Sequence, residues 1–248
     1  MKKIITFGDS WVWGVGSGFT TGMTKKEYDN IKEAPAIAEK NCFRTLLCKE
    51  HDMENINFSA PASSNQKQFR LASEFFLRDG SMEKDSVVLW GLTSVYRLEY
   101  YDSVRNMFKN TFLSDGEDTI SKLVAMKMFD EAIETERLFY QIKLFNSFFA
   151  MHGVKNYWFN IFNDHKFPGT VDNLLFGGSS LLSEITHDKQ PNDKYHLSNW
   201  HDTDRKIIKA EESGMVNPFT KHPTKETHKK IANLFQKALD FKTGEKVG

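Results

Sequence analysis

Short apolar runs alternate with helix-patterned segments along the chain, and this alternation is the strongest constraint on the fold. The runs with the length and composition of buried strands are 4–7, 54–58, 86–90 and 154–162. Apolar residues recur at helical spacing in 34–49, 66–78, 118–149 and 224–241. Strands that alternate with helices predict βαβ units with right-handed crossovers and a mostly parallel sheet.

The length and the charge of the chain limit its organisation and its partners. With 248 residues, the chain is long enough for one α/β domain, spanning 1–248, with a sizeable core. Lysine plus arginine equals aspartate plus glutamate, at 33 each, which argues against a nucleic acid or an anionic membrane as a partner. The polar, turn-rich stretch 166–215 is predicted to form an irregular excursion or a cap over the site edge.

The cysteines and the amino-terminal run favour a cytoplasmic protein. Cys42 and Cys48 lack metal-ligand spacing with histidine, and a chain of this size needs no disulfide, so reduced thiols are expected. The first apolar run is too short for a signal peptide. No run approaches the roughly 18 apolar residues of a membrane span.

Two patterns raise the question of a metal or a nucleotide. Residues 163–165 and 196–204 contain histidine and aspartate, but in no recognised zinc or calcium spacing. The glycines at 14, 16 and 18 lack the spacing of a dinucleotide loop, because Phe19 stands where the third glycine belongs. We therefore expect neither a metal nor a cofactor.

Polar loops follow the first three predicted strands. Ser10 follows the first strand, and the loops 59–65 and 91–94 follow the second and third. In open α/β sheets, ligands bind beyond the carboxyl ends of the strands. We therefore expect these three loops to converge on one edge of the sheet.

A histidine near the end of the chain offers the base that a serine nucleophile needs. A serine hydroxyl is a poor nucleophile until a base removes its proton. His222, followed by Pro223, precedes the last predicted helix, and His228 on that helix is the alternative base. Ser10 together with His222 predicts a nucleophile site.

Four blocks of the sequence resemble those of the SGNH (GDSL-type) serine hydrolases. They are Gly8-Asp9-Ser10, 57–65, Gly91-Leu92-Thr93-Ser94 and His222-Pro223. The resemblance implies a three-layer α/β/α, flavodoxin-like sandwich. It also implies that Ser10 attacks an ester carbonyl with His222 as its base, and that water hydrolyses the resulting acyl-enzyme.

The blocks that would form the oxyanion hole depart from the family pattern. The resemblance implies the backbone N–H groups of Ser10 and of the second-block glycine, and Ala62 stands in place of that glycine. The third-block asparagine is absent. Its donor would be replaced by the side chain of Asn65, which we favour, or by the hydroxyl of Thr93 or Ser94.

The aspartate that usually precedes the family's histidine by three residues is also absent, and Phe219 occupies its position. An aspartate there fixes the tautomer of the histidine and stabilises the imidazolium. The groups that could replace it as partner of His222 are Asn217, a backbone carbonyl, Asp164, Asp202 and Asp204.

Several side chains near the blocks are candidates for the substrate pocket: Asp9, Trp11, Trp13, Thr93, Ser94 and Arg97. Asp9 can instead cap the first helix, Arg97 can form a salt bridge rather than bind an anionic group, and the tryptophans can pack in the core. The aromatic residues of 118–149, including Phe149 and Tyr140, are expected in the core.

These features predict a serine esterase that cleaves a small ester, with an acetylated carbohydrate as one option for the substrate. A second hypothesis is a binding or structural protein that keeps the fold without catalysis. A third is an acyltransferase. The sequence leaves the natural substrate and the oligomeric state open.

Overall fold

The fold is centred on a parallel β-sheet of four strands. A computed structural model of the chain describes residues 2–31, 35–79, 84–113, 124, 128–188 and 205–239. The sheet strands are β1 (Lys3–Phe7), β2 (Glu54–Asn57), β3 (Val87–Leu92) and β6 (Lys155–Asn160), in the order β2-β1-β3-β6. All three pairings are parallel. Central β3 is buried along its whole length, as expected of a strand covered on both faces.

Helices follow or precede each strand. Within the described ranges they are α1 (Ser10–Trp13), α2 (Lys25–Asp29), α3 (Pro35–Asn41), α4 (Phe43–Glu50), α5 (Asn65–Asp79), α6 (Glu131–His152), α7 (Leu181–Thr186), α8 (Arg205–Glu212) and α9 (Lys225–Ala238), with a 3-10 turn at Leu175–Gly178. No helix in this part of the chain is both long and apolar enough to cross a membrane.

Two apolar clusters, one on each face of the sheet, define three layers. Successive residues of β3 alternate between them: Val87 and Leu89 belong to one cluster, Val88 and Trp90 to the other. The first cluster contains apolar residues of α4, α7, α8 and α9, and the second contains those of α5 and α6. The predicted fold class, a three-layer α/β/α sandwich with a mostly parallel sheet, is confirmed.

The second cluster is built largely from aromatic rings. Trp90 stacks between Phe7 and Trp158, with ring centroids at 4.4 and 4.7 Å. Phe149 is buried there as predicted, but Tyr140 is a correction because its side chain is more than half exposed. The apolar content of α6 is therefore greater than its inner face requires.

The segment after β3 was not assigned from the sequence. It forms an antiparallel hairpin of β4 (Arg97–Asp102) and β5 (Met107–Phe112), separate from the main sheet. Arg70 of α5 attaches the hairpin through Glu99, with an N–O distance of 2.9 Å. The predicted helix over 118–149 begins at Glu131, capped by the Asp130 carboxylate, and 118–123 and 125–127 lie outside the described residues.

The stretch 166–215 differs from its prediction as an excursion or cap. Its described parts include α7 and α8, whose Leu181, Leu182 and Ile207 are buried in the first core cluster. Residues 189–204, which include the whole of the 196–204 pattern, lie outside the described residues. The sequence pattern did not reveal these helices, because each is short and the residues around them are mostly polar.

Two further segments are more divided than predicted. The helical segment 34–49 is split at Cys42, which has an extended backbone and precedes α4. The glycine-rich loop 11–30 contains the short helices α1 and α2. In the part of the chain described, no group of three histidine, cysteine, aspartate or glutamate side chains is placed to hold a metal ion.

Candidate active site

The central contact of the site joins the two ends of the chain. The Nε2 atom of His222 lies 2.7 Å from the Oγ atom of Ser10. The two residues are 212 positions apart in the sequence. A nucleophile and a base within hydrogen-bond distance are the minimum that covalent catalysis by serine requires.

The turn after β1 fixes the position of Ser10. Asp9 caps α1, and its Oδ1 atom accepts a hydrogen bond from Trp11 N at 2.9 Å. A side chain at Gly8 would place its Cβ 2.3 Å from Val12 Cγ2, so only glycine fits where the chain turns over α1. Ser10 therefore stands at the first helical position, directly beyond the carboxyl end of a central strand.

The second ring nitrogen of His222 is held by the backbone. Nδ1 lies 2.6 Å from the carbonyl oxygen of Thr220, an atom that can only accept. Nδ1 therefore carries a proton in this arrangement and donates it to the carbonyl. Nε2 is then free of a proton and can accept the one from the Ser10 hydroxyl.

Asn217, a candidate partner of His222, hydrogen-bonds the turn rather than the ring. Its Oδ1 accepts from Phe219 N at 2.8 Å, its backbone N–H donates to the His222 carbonyl at 2.8 Å, and its own carbonyl accepts from Lys221 N at 2.8 Å. Lys221 adopts a left-handed backbone conformation, with φ of 57°. Asn217 thus shapes the turn that presents the Thr220 carbonyl.

The carboxylates proposed as partners of His222 are not its partners where they are described. Asp164 accepts from Ser180 N at 2.6 Å and lies 3.6 Å from Lys206 Nζ. Asp202 and Asp204 lie outside the described residues. Phe219, at the family's aspartate position, instead contacts the Phe19 ring edge-on, with centroids 6.0 Å apart.

A close approach of two loops explains one glycine of the glycine-rich segment. A Cβ at Gly16 would lie 2.6 Å from the Pro223 carbonyl oxygen and 2.8 Å from His222 Cβ, and its φ is +87°. Only glycine permits both the conformation and the contact. The sequence alone did not indicate that Gly16 packs against His222 and Pro223.

Asp9 lies in a buried network with Thr93 and Arg97. Its Oδ2 atom accepts from Arg97 Nη1 at 2.8 Å and from the Thr93 hydroxyl at 3.3 Å. Burial raises the pKa of Asp9 above its ordinary value, although the adjacent guanidinium and the hydrogen bonds act in the opposite direction. Arg97 is thus engaged in the salt bridge that was the alternative to an anion-binding role.

Asn65 is tied to the third-block loop. Its Nδ2 donates to the Thr93 carbonyl at 2.9 Å, and its Oδ1 accepts from Thr93 N at 3.0 Å. His165 Nε2 also lies 3.1 Å from that carbonyl, and burial lowers the pKa of His165 to about 4. Asn65 therefore closes a pair of hydrogen bonds between two loops. These bonds use one of the two protons on its amide nitrogen, so its favoured role as an oxyanion donor stays a prediction.

The hydroxyls suggested as replacements also have partners. Thr93 donates its hydroxyl to Asp9, and the Ser94 hydroxyl accepts from Tyr96 N at 3.2 Å. Both residues are buried. The Thr93 hydroxyl therefore stabilises the loops, whereas the Ser94 hydroxyl, which accepts here, keeps its own proton as a donor.

The second-block loop approaches the nucleophile through its backbone. Ala60 N donates to the Gly8 carbonyl at 3.2 Å. Ala62 has φ of +58°, a left-handed conformation that glycine adopts without strain. Neither Ser10 N–H nor Ala62 N–H donates to another residue among those described. Both N–H groups are therefore not used by the hydrogen bonds of the described chain.

One aromatic candidate, Trp11, and the alternative base, His228, belong to the core, whereas Trp13 does not. Trp11 is buried, with its ring edge-on to Phe162 at 5.0 Å. His228 is fully buried and stacks on Phe43, and its burial lowers its pKa to about 3. Trp13 is only half-buried, and its carbonyl accepts from Arg44 at 3.3 Å. The predicted roles of Trp11 in a pocket and of His228 as a base are therefore not supported.

A pocket of about 200 Å³ adjoins the site through two shared residues. It lies between the start of α5, the start of the hairpin and α6, and its lining residues are Asn65, Gln66, Val95, Arg97, Glu134, Arg137, Leu138 and Gln141. Both charge signs and several amides line it. Such a lining can hydrogen-bond a neutral polar group from several directions.

Comparisons with known proteins give a distant likeness in structure. No family model matches the chain, and no curated protein matches it. Among solved structures, the chain is similar to a candidate lipolytic protein of the G-D-S-L family from Desulfitobacterium hafniense DCB-2. The two share 12% sequence identity with a TM-score of 0.41, over 96% of this chain and 99% of that chain. Values this low carry no argument about activity, so the function is argued from the geometry above.

Proposed function

We propose that the protein is a serine hydrolase that cleaves a small ester through an acyl-enzyme. Ser10 is the nucleophile and His222 is the general base. The observation that carries the proposal is the 2.7 Å contact between Ser10 Oγ and His222 Nε2. The Thr220 carbonyl supports it, because an Nδ1–H donor leaves Nε2 as the acceptor.

The reaction would proceed in two halves. His222 Nε2 takes the hydroxyl proton as Ser10 Oγ bonds to the ester carbonyl carbon, and the carbonyl oxygen becomes an oxyanion. The imidazolium returns its proton to the alkoxide as the ester bond breaks and the alcohol leaves. A water then gives a proton to His222 and attacks the acyl group, which releases the acid and restores Ser10.

The base works here without a carboxylate. A carbonyl supplies a dipole rather than a full negative charge, so it orients the ring but stabilises the imidazolium less. We therefore expect slower turnover than an aspartate-assisted site would give. The Asp9–Arg97 pair beside the nucleophile is neutral as a unit and does not replace that charge.

The oxyanion would be held by backbone donors. Ser10 N–H and Ala62 N–H are the groups whose protons have no other described acceptor. Preorganised donors of this kind act on the charge that develops in the transition state. The polar pocket beside Asn65 supports a substrate that carries hydroxyl or amide groups, and an acetylated carbohydrate is one such ester.

A second candidate function is binding without catalysis. The observation that favours it is a double departure from the family pattern: Phe219 stands at the aspartate position, and the third-block loop contains no asparagine. A protein that had lost turnover would still present the same pocket.

The test compares p-nitrophenyl acetate hydrolysis by the native protein with that of Ser10→Ala and His222→Ala. His187→Ala is the matched control, because His187 is an exposed histidine outside the site. We expect both site variants to lose activity, the control to keep it, and a fluorophosphonate to label Ser10 by mass spectrometry. An inactive native protein with Ser10 unlabelled would favour the binding protein.

A further inference from the structure

Asn163, three residues beyond the end of β6, has a buried side-chain amide that takes part in no hydrogen bond with the described residues. The residue is 7% exposed, and its Oδ1 atom is enclosed without a partner. Every other buried amide side chain of the described chain makes at least one hydrogen bond: Asn65, Gln68, Asn156, Asn160 and Asn217. A buried amide without a partner destabilises the folded state, so its presence needs an explanation.

The two ends of this amide differ in their access to the site. Oδ1 has no exposed surface, whereas Nδ2 is neither enclosed nor bonded to a described residue, so the donor end is the open one. An asparagine Nδ2 atom carries two protons. Asn163 therefore offers unused N–H donors from an otherwise buried position, and the group that fits them is an acceptor oxygen.

The segment that leaves β6 lies beside α1, the helix that begins at the proposed nucleophile. A Cβ at Gly91 would lie 2.6 Å from Val12 Cγ2 and 2.9 Å from Ile161 Cδ1, so these two side chains meet over the end of β3. The ring of Phe162 then packs edge-on against Trp11 of α1, with centroids 5.0 Å apart. The chain therefore passes this helix immediately before it reaches the unpaired amide.

The residues after Asn163 also contact the surroundings of the nucleophile turn. His165 Nε2 lies 3.1 Å from the Thr93 carbonyl oxygen, and the Thr93 hydroxyl donates to Asp9, the residue before Ser10, at 3.3 Å. β6 pairs with β3, and the carboxyl ends of parallel strands meet at one edge of the sheet. Asn163 is thus placed between two contacts that both lead to the nucleophile turn.

We propose that Asn163 is a further catalytic residue, whose Nδ2 donates a hydrogen bond to the oxyanion that forms when Ser10 attacks the substrate. The inference rests on the proposed function and adds a side-chain donor to the two backbone N–H groups. The amide keeps its proton, so it stabilises the developing charge and transfers nothing. An asparagine on β6 would thereby take the role of the one that is absent from the loop after β3.

The unpaired state of the amide is what such a role requires. A donor that is already fixed in place and unused in the free protein needs no rearrangement when charge develops on the substrate oxygen. Asn65 and Ser94, the other side-chain candidates, each contribute a hydrogen bond to the loops. The amide of Asn163 contributes none to the described chain, so catalysis accounts for a polar group that folding does not use.

The test compares the kinetics and stability of Asn163→Ala with those of Asn160→Ala, using p-nitrophenyl acetate. We expect Asn163→Ala to lower kcat by about 10²–10³-fold with KM little changed, because the lost bond forms only in the transition state. Its urea midpoint should stay near that of the native protein. Asn160 is the matched control, a buried amide of β6 whose Nδ2 donates to the Gly178 carbonyl at 2.7 Å. Asn160→Ala should unfold at lower urea and keep its kcat while folded.

Asn163→Leu, which removes the amide but keeps a side chain of similar size, should repeat the kinetic loss if the missing donor is its cause. An active native protein whose Asn163 variants keep native kcat would overturn this inference and leave the proposed function standing. A loss of kcat that comes with the instability seen in Asn160→Ala would make Asn163 a structural residue, which also overturns it. A native protein without activity, with Ser10 unlabelled by a fluorophosphonate, would overturn both.

Discussion

The histidine turn on one side of Ser10 and the second-block loop on the other differ in how they could assist catalysis. On the base side, the turn that Asn217 stabilises holds His222 Nδ1 at 2.6 Å from the Thr220 carbonyl, and Nε2 lies 2.7 Å from Ser10 Oγ. On the other side, the donors that remain are two backbone N–H groups, one of them on an alanine in a left-handed conformation. For the proposed reaction, the base is well positioned but lacks a carboxylate, and the oxyanion donors named in the proposal are both backbone groups, so we expect each side to slow turnover.

The largest expected effect comes from removing the proposed nucleophile or the proposed base. Ser10→Ala and His222→Ala should each lower kcat by about 10³-fold or more, since a nucleophile and its base act as a unit. The double variant should fall no further than either single one. Steady-state kinetics on an activated ester measures this, with circular dichroism to confirm folding. Additive losses in the double variant would mean that another group activates Ser10.

The next effect concerns the pH dependence of stability, which the buried His228 should control. Burial lowers the pKa of His228 to about 3, whereas the pKa of a histidine in an unfolded chain is about 6.5. The unfolded state therefore binds a proton first as pH falls, and this histidine removes a few kcal/mol of stability between pH 6.5 and about 3. His228→Leu should show a shallower loss of stability over that window in urea titrations. An unchanged pH slope would contradict the buried neutral state.

A smaller effect decides the role of Asn65. Asn65→Ala removes two hydrogen bonds and leaves the buried Thr93 N–H without its partner, which destabilises the protein by about 1–3 kcal/mol. We expect kcat to change little at temperatures where the variant is folded. A loss of about 10²-fold in kcat with native stability would instead identify Asn65 as an oxyanion donor. Thermal unfolding and kinetics on the same sample distinguish the two.

The smallest effect tests the backbone strain at Ala62, one of the two proposed oxyanion donors. Ala62→Gly should raise the free energy of unfolding by up to about 1 kcal/mol, because a left-handed alanine is strained by about that amount. The gain is reduced by the greater freedom of glycine in the unfolded chain. Asn173 also has a positive φ and lies elsewhere, so Asn173→Gly is a control for a general benefit of glycine. Only Ala62→Gly should also alter turnover.

The parts of the fold that the sequence predicted are those with local signals. The strands β1 and β3 were recognisable because each is a short apolar run followed by small or polar residues, and β2 and β6 followed from the alternation of strands with helices. Ser10 and His222 were recognisable because both sit at the boundary between a loop and a regular element. The hairpin after β3 was missed because its strands lie partly outside the core, so polar and apolar residues mix on both faces.

The parts that the sequence could not give depend on the backbone or on long-range pairing. The Thr220 carbonyl orients His222, yet every residue has a carbonyl and no letter marks the one that is used. The role of Asn65 depends on Thr93, 28 positions away, whose backbone meets it only in the folded chain. Tyr140 reads as core because a helix that is apolar on two faces does not show which one is inward.

The use of a carbonyl to orient His222 has a consequence for how this site tolerates change. No substitution at position 220 can delete the oxygen, whereas an aspartate is lost by a single replacement. The vulnerable positions are those whose side chain or conformation sets the shape of the turn: Asn217, whose Oδ1 accepts from Phe219 N, and Lys221, which has a left-handed backbone. A saturation screen should therefore find that position 220 tolerates most substitutions and that position 217 tolerates few. The orientation of His222 would then be sensitive to the residues that shape the turn, and not to the residue that supplies the carbonyl oxygen.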